Sequence, residues 1–433
     1  MSPAVPLVFD TTHLVTRQGI VTPTGIDRVD TAYAHYLSGR PETLHAGVHY
    51  GLRGPHVFAR ERIADLSGRQ LKRWHDGSET PHDDPQYATV HAFLTGASSI
   101  AAIPTRIAGR RKNPRQNRHI ALDKMRQRLV RDRHVAIPQG AVYLNIAQYL
   151  LELPFLLRWL KKRPDVNPVF FIHDLLPLDY PEYFPAERKI RFPRILDTAL
   201  HHAHGLIVTC QATGDRISAH LAAHGHGPMP IHVGHLPAGD RFRPVATRDP
   251  ELDRSPYVMV VGTVEPRKNH LFLLNLWRHF AERGIPVPKL LIVGAIGWEN
   301  EGVLDMLDRC EALRGRVLLV SDLSDGAYRH LLGHARALLA PSFAEGYGIP
   351  IAEAMTAGTP VIASDIAVFR EVAQGLATFC DPLDGPAWKD AIVQTLDPDR
   401  QVERRQATKA YRAPQWGDYF DNVLDFLGTL KRT

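Results

Sequence analysis

Cysteine is scarce in this chain: three in 433 residues, Cys210, Cys310 and Cys380, all far apart. No CxxC pair occurs, which excludes a disulfide framework or a structural zinc site as the basis of the fold. A reducing, cytoplasmic setting is expected. No apolar run is long enough to span a bilayer. No charged segment precedes the strand-like run Leu7-Val8-Phe9, so no signal peptide is expected. Asp-x-Asp occurs once, as Asp397-Pro398-Asp399, and its Pro and its position after a helix read as a turn. No metal and no cofactor are expected.

What is present is globular. The chain is 44% apolar and 23% charged, with a formal charge of +6. Its length fits two or three domains. The charge suits an anionic ligand or an acidic membrane surface and proves neither.

The most informative stretch is Glu345-Gly-Tyr-Gly-Ile-Pro-Ile-Ala-Glu353. Glu345 sits on a Gly-rich loop, and Pro350 fits the first residue of a helix. Glu353 is expected in the first turn of that helix, which Gly358 and Pro360 stop early. A helix N-terminus favours phosphate. A carboxylate beside phosphate can instead accept hydrogen bonds from a vicinal diol. A sugar nucleotide offers diphosphate, ribose diol and sugar hydroxyls together. Taken alone, two glutamates at this spacing are also ordinary helix-dipole chemistry.

The neighbouring segments decide the matter. Strand-like and helical runs alternate from about residue 257, with strands at Tyr257–Gly262, Lys289–Gly294, Arg316–Val320, Ala337–Ala340, Pro360–Ser364 and Ala377–Cys380. They are apolar throughout, as a parallel sheet covered on both faces requires. The same grammar, with interruptions, runs through Leu7–Phe9, Val142–Ile146, Val169–Ile172, Leu206–Thr209 and Ile231–Val233. Helices are expected over Gly25–Leu37, Leu150–Lys162, Ala186–His202 and Ala212–Ala223. The fold class is therefore α/β, with two doubly wound Rossmann-like domains facing across a cleft. The first covers 1–240, the second 241–415, and a helix within 416–433 is expected to pack back across the boundary.

Residues 52–138 break the rhythm and read as a basic insertion in the first domain. Arg110, Arg111, Lys112, Arg115, Arg118, Lys124, Arg126, Arg128, Arg131 and Arg133 meet few acids. A solvated loop and helix is one reading. The sharper one is a surface, over 106–133, for anionic lipid or a phosphate-bearing acceptor. No aromatic interleaving accompanies the charge, so nucleic acid is not an expected partner.

Three further segments carry chemistry. Gly262-Thr263-Val264-Glu265-Pro266-Arg267-Lys268-Asn269 follows a strand and brings two adjacent cations to its end. Arg267 can grip phosphate bidentately, and Lys268 acts as a point charge. Phe170-Phe171-Ile172-His173-Asp174 ends a strand of the other half, where His173 could meet a sugar hydroxyl. Pro23-Thr24-Gly25-Ile26-Asp27-Arg28 turns into the first long helix, and Gly25 allows a close backbone approach.

Together these segments resemble the retaining family-four glycosyltransferases of GT-B architecture. Glu345 and Glu353 match that family's Glu, seven residues, Glu signature, and Gly262 to Asn269 match its Gly-Thr-x-Glu-x-Arg-Lys-Asn-like loop. His173, the segment His235 to Asp240 and Trp416 are similar too. The resemblance implies that Arg267 and Lys268 bind the donor diphosphate and stabilise the leaving phosphate. Glu353 would hold the ribose, and Glu345 with Gly346, Tyr347 and Gly348 the sugar. His173 would touch that sugar from the opposite domain. Gly25, Gly262, Thr263 and Asp174 complete the donor-binding set.

The implied activity is metal-independent, retaining transfer of a sugar from a nucleotide-diphosphate donor, GDP-mannose favoured. The acceptor would be a saccharide or a lipid-linked saccharide in cell-surface polysaccharide synthesis. His173-Asp174-Leu175-Leu176-Pro177-Leu178 resembles the bacterial polysaccharide mannosyl- and rhamnosyltransferases of the family. The expected site of action is the cytoplasm, peripheral on the inner face of the cell membrane. A sugar-nucleotide epimerase of the same build and a non-catalytic nucleotide-sugar binder remain alternatives.

Overall fold

The computed structural model describes residues 5–19, 23–50, 54–75, 80–97, 105–107, 135–245 and 248–430. Among these residues the strands form two sheets of seven. In the first, β1 (Leu7–Asp10), β2 (Leu44–His49), β3 (His56–Ala59), β5 (Val142–Asn145), β6 (Asn167–Ile172), β7 (Gly205–Val208) and β8 (Ile231–Val233) lie in the order β3-β2-β1-β5-β6-β7-β8. All neighbours are parallel except β2 and β3. The second holds β4 (Arg106–Ile107), β9 (Tyr257–Val261), β10 (Lys289–Val293), β11 (Val317–Val320), β12 (Ala337–Ala340), β13 (Val361–Ser364) and β14 (Thr378–Cys380). Its order is β14-β13-β12-β9-β10-β11-β4, parallel throughout.

Each sheet has one place where the strand order reverses. In the first it lies between β1 and β5, in the second between β9 and β12. Ligands of open α/β sheets bind beyond the strand ends at such points. The central strands of the second sheet read YVMVV, KLLIV, VLLV and ALLA and are almost wholly buried, so layers of helix cover both faces.

Local chemistry sets the helix starts that matter. Thr24 caps the helix Gly25–Ser38 in a reciprocal capping box with Asp27. Gly348, at φ +102°, turns the chain into the helix Ile349–Thr356, which carries Pro350 in its first turn. That helix is short, and Gly358 at φ +72° follows it. Glu353 is its fifth residue, so it lies one turn further along than the sequence suggested.

The expected helix over Leu150–Lys162 is absent. Two 3-10 turns stand there, Pro154–Leu157 and Leu160–Lys162. Gln148 and Leu150 have positive φ, and Pro154 offers no N–H and holds Leu153 out of helical geometry.

The stretch 52–138 divides between the domains. β3 and the helix Arg60–His75 pack on the first sheet, whereas the helix Tyr87–Thr95 and β4 belong with the second. β4 pairs with β11 at that sheet's edge. His91 Nε2 lies 3.1 Å from Asp249 Oδ2, and Lys289 Nζ donates to the Leu94 carbonyl at 3.2 Å. The basic run from Arg110 to Arg133 lies outside the described residues. The helix Trp416–Thr429 packs on the first domain, with the Tyr33 and Tyr419 hydroxyls 2.6 Å apart and Phe420 stacked on Tyr36. Among the described residues, no helix is long and apolar enough to cross a membrane.

Candidate active site

Two loops at the reversal point of the second sheet build the site. The first leaves β9 through Gly262, at φ +144°, and makes a 3-10 turn over Pro266–Lys268. The chain there is pressed close: a Cβ on Gly294 would lie 1.9 Å from the Gly262 carbonyl oxygen, so this pair of strand ends tolerates no side chain. Thr263 lies beside Gly297, whose added Cβ would come within 2.7 Å of the Thr263 methyl. The second loop leaves β12 and runs to Glu345. The Phe343 N–H donates to the Arg267 carbonyl at 2.8 Å, and Arg267 Nη1 donates to the Ala344 carbonyl at 3.1 Å.

The charged side chains then meet. Glu345 Oε2 accepts from Arg267 Nη1 at 2.5 Å, and Glu345 Oε1 accepts from Lys268 Nζ and from Ser342 Oγ, the latter at 2.8 Å. Arg267 Nη2 also lies 2.6 Å from Glu265. Glu345 is 7% exposed. Burial alone would raise its pKa, but the charges and hydrogen bonds of Arg267 and Lys268 outweigh that and hold it at about 2. Glu265 moves the other way: burial wins and raises it. Arg267 Nε is buried and has no hydrogen-bond partner among the described residues.

The other domain closes on this group. A Cβ on Gly346 would lie 2.8 Å from Asp174 Oδ2 and 3.1 Å from the His173 carbonyl, and Thr209 Oγ1 donates to the Gly346 carbonyl at 3.1 Å. His173 is half-buried, and the loss of water around its ring lowers its pKa to about 4. Its Nε2 faces the Ile146 carbonyl at 2.9 Å, and a carbonyl only accepts, so Nε2 carries the proton. Nδ1 is left as an acceptor. Burial raises Asp174, partly offset by the charge of Arg267. Gly25 approaches from the helix start of the first domain, where an added Cβ would sit 3.1 Å from Ile349 Cδ1. Tyr347 is directed inward, its hydroxyl donating to the Leu236 carbonyl at 3.0 Å.

Thus Arg267, Lys268, Glu345, Gly346, Gly262, Thr263, His173 and Asp174 gather at one place. Glu353 lies in an adjoining polar group. Its Oε2 accepts from Tyr328 at 2.7 Å, and burial raises its pKa to about 7 against the charges of Arg28 and Arg241. Arg28 crosses between the domains to Asp325 at 3.0 Å, and Arg241 pairs with the same carboxylate at 2.5 Å.

Sequence reasoning missed Tyr328, Asp325 and Arg241. It quoted Arg28 only as the end of a turn. It also passed over Asp10, the last residue of β1, and His13 beyond it. His13 Nδ1 meets Asp30 Oδ2 at 3.1 Å, Arg17 grips Asp27 at 2.7 Å with two nitrogens, and the charge of His13 reaches His173. The signal was the polar run Asp10-Thr11-Thr12-His13 at the end of an apolar strand. Asp397 caps the helix Pro398–Thr408 through the Asp399 and Arg400 N–H groups, which accounts for the Asp-Pro-Asp turn.

Two facing doubly wound domains with charged loops at the reversal point make up the GT-B fold. Residues 246–413, most of the C-terminal domain, match the model of the family described as glycosyl transferases group 1. The serotype-specific mannosyltransferase WbdA of Escherichia coli is 31% identical over 222 residues, which cover 47% of this chain and 27% of that protein. The O-antigen chain mannosyltransferase B of Escherichia coli is 27% identical over 262 residues, covering 56% of this chain and 65% of that one. The chain therefore spans about a quarter and just under two thirds of these relatives. Anabaena HepE, solved with UDP and glucose, superposes with a TM-score of 0.58 at 13% identity, over 98% of this chain and 100% of that one. The glycosyltransferase WaaG gives 0.51 at 15% identity, over 63% of this chain and 80% of that one. At such identities the likeness is one of fold.

Proposed function

We propose that this chain is a retaining, metal-independent glycosyltransferase that moves mannose from GDP-mannose to a saccharide or lipid-linked saccharide. Its product would be a cell-surface polysaccharide, made at the inner face of the membrane. One observation carries the reading: Arg267 and Lys268 converge on Glu345 at the reversal point, with the neutral His173 approaching from the other domain. The names of the mannosyltransferase relatives support the choice of sugar.

The chemistry follows from the charges. When the donor binds, its diphosphate takes up the cations that Glu345 holds in the free protein. As the glycosidic bond breaks, negative charge grows on the β-phosphate. Fixed cations lower that barrier without reorganising. The acceptor hydroxyl attacks the anomeric carbon from the face the phosphate is leaving, and its proton passes to a departing phosphate oxygen. No protein nucleophile is required. His173 Nδ1 accepts a hydrogen bond from a sugar hydroxyl. Arg267 and Lys268 supply the positive charge that a divalent ion would otherwise bring.

A thermal-shift screen against GDP-, UDP- and dTDP-sugars tests the donor. GDP-mannose is expected to raise the melting temperature most, since a ligand bound only by the folded state stabilises it by mass action. A larger shift with a UDP- or dTDP-sugar would reject mannose transfer from GDP. Conversion of the donor alone into a new sugar nucleotide would favour an epimerase instead.

Closure makes a second expectation. Alanine at Gly346 would thrust a methyl group into Asp174 and the His173 carbonyl. The domains would then stand apart, and a misplacement of about 1 Å can cost roughly 10²-fold in rate. Gly346→Ala is expected to lose about that much turnover while its melting temperature stays close to wild type. Wild-type kinetics would mean that the contact between Gly346 and Asp174 is not part of the working geometry.

A further inference from the structure

The first domain carries a surface that the donor site does not use. The 3-10 stretch after β5 runs beside the helix Ala186–His202: Glu152 pairs with Arg191 at 2.5 Å, and Lys161 acts on His202. On the outside stand three large apolar side chains, Leu153 at 37% exposure, Phe155 at 43% and Ile190 at 64%. The same two segments carry six exposed cations, Arg158, Lys161, Lys162, Arg188, Lys189 and Arg194. None of the six makes an ion pair among the described residues, and in residues 152–163 and 186–194 Glu187 is the one carboxylate outside an ion pair. Exposed isoleucine and phenylalanine on segments rich in exposed lysine and arginine match the boundary of an anionic bilayer. Apolar tips can enter the headgroup region while ammonium and guanidinium groups stay at its surface.

The patch is continuous with the cleft. Just before the helix, the Tyr183 carbonyl accepts from Trp298 Nε1 at 2.9 Å, and the Tyr183 ring stacks on Phe343 of the glutamate loop. Arg188, in the first turn, is close enough to act on Asp174.

We propose that Leu153, Phe155 and Ile190, with these cations, form the surface by which the chain docks on an anionic lipid bilayer, the cleft mouth held at the headgroups. Only the identity of what the cleft receives there rests on the proposed function. Lipid binding is measured without turnover, so the two readings fail separately.

The test is co-sedimentation with vesicles of phosphatidylcholine alone and of phosphatidylcholine with phosphatidylglycerol. Wild type should pellet with the anionic vesicles, and added salt should release it. Two triple variants are compared, Leu153→Ser/Phe155→Ser/Ile190→Ser and Lys161→Glu/Lys162→Glu/Lys189→Glu. Their side chains are exposed, so far-UV circular dichroism and melting temperature should match wild type. Each should bind anionic vesicles at least about tenfold more weakly. Wild type that stays in the supernatant, or triple variants that bind as it does, would overturn the proposal. So would a loss confined to Arg110→Glu/Arg111→Glu/Lys112→Glu. So would a lipid-free dimer that the apolar variant alone dissociates, for then a second copy covers the patch.

Discussion

Lys268→Ala is expected to lower kcat by about 10²–10³-fold, the scale found when one fixed donor to a developing anion is removed. Lys268 reaches over Gly262, whose lack of a side chain leaves room for it: a Cβ there would lie 3.4 Å from Nζ. The ammonium ends on Glu345, in a group where neither partner is more than 14% exposed. A cation held so, in a site closed to water, acts on a departing phosphate more strongly than it would in solvent. The loss should fall on kcat rather than KM, because the phosphate charge grows as the bond breaks. Single-turnover rates with the donor saturating would separate the two. Near-wild-type kcat in Lys268→Ala would remove the basic pair from the chemistry.

Glu345→Ala asks a different question of the same group. Removing the carboxylate leaves Arg267 and Lys268 buried against each other, and breaking a buried ion pair from one side costs about 3–5 kcal/mol. This variant should therefore lose stability as well as rate. Its pH dependence follows from the direction of the shift. Glu345 is depressed to about 2 from an ordinary 4.5, so its stabilising share is present above pH 4.5. That share fades as pH falls through the folded value. Melting curves of wild type and Glu345→Ala should converge as pH is lowered from 5 toward 2. Glu345→Gln keeps the volume and tells loss of charge from loss of packing.

How much of this was legible in the sequence depends on the range over which the physics acts. The central strands of the second sheet were readable because each is a continuous apolar run, and burial on both faces leaves little else for such a run to become. Arg267, Lys268 and Glu345 could be paired in advance because each follows a strand of one parallel sheet, whose ends all point the same way. The short helix after Gly348 was readable from Pro350 and Gly358. What failed was non-local or conformational. Leu150–Lys162 has helical composition, but Pro154 and the positive φ of Leu150 break it into 3-10 turns. β4 has two residues, and nothing in Arg106-Ile107 announces that it will add to the edge of a sheet whose next strand is more than two hundred positions away. Arg28 and Asp325 stand 297 positions apart, so their bond across the domains has no sequence signature. Glu353 was singled out as a carboxylate of the donor site. Its state of protonation depends on Tyr328 and Arg28, and only packing reveals them.

That state makes the other large effect. Burial raises Glu353 to about 7 from an ordinary 4.5, with the Arg28 charge and the Tyr328 hydroxyl opposing the rise. A carboxyl raised on folding favours the folded state fully below pH 4.5, and that advantage is lost as pH climbs through 7. At pH 8.5 the folded protein carries a buried charge that the unfolded chain would hold in water. Glu353→Gln removes that cost and is expected to be more stable at pH 8.5 by roughly 3 kcal/mol, at about 1.36 kcal/mol for each unit by which folding raises the pKa. At pH 4 the two proteins should melt alike. Donor binding should change in the opposite sense. A ribose diol donates two hydrogen bonds, which a carboxylate accepts better than an acid already engaged by Tyr328. Wild-type affinity for GDP-mannose, whose esterified diphosphate has no proton to lose near neutrality, should therefore strengthen from pH 6 to pH 8, and binding at pH 6 should release a proton to buffer. Titration calorimetry in two buffers of different ionisation enthalpy measures that proton directly. Glu353→Gln should bind weakly at every pH and release none. Parallel affinity profiles in the two proteins would mean that the ribose lies elsewhere. Glu353 would then be a buried acid that Arg28 and Tyr328 merely accommodate.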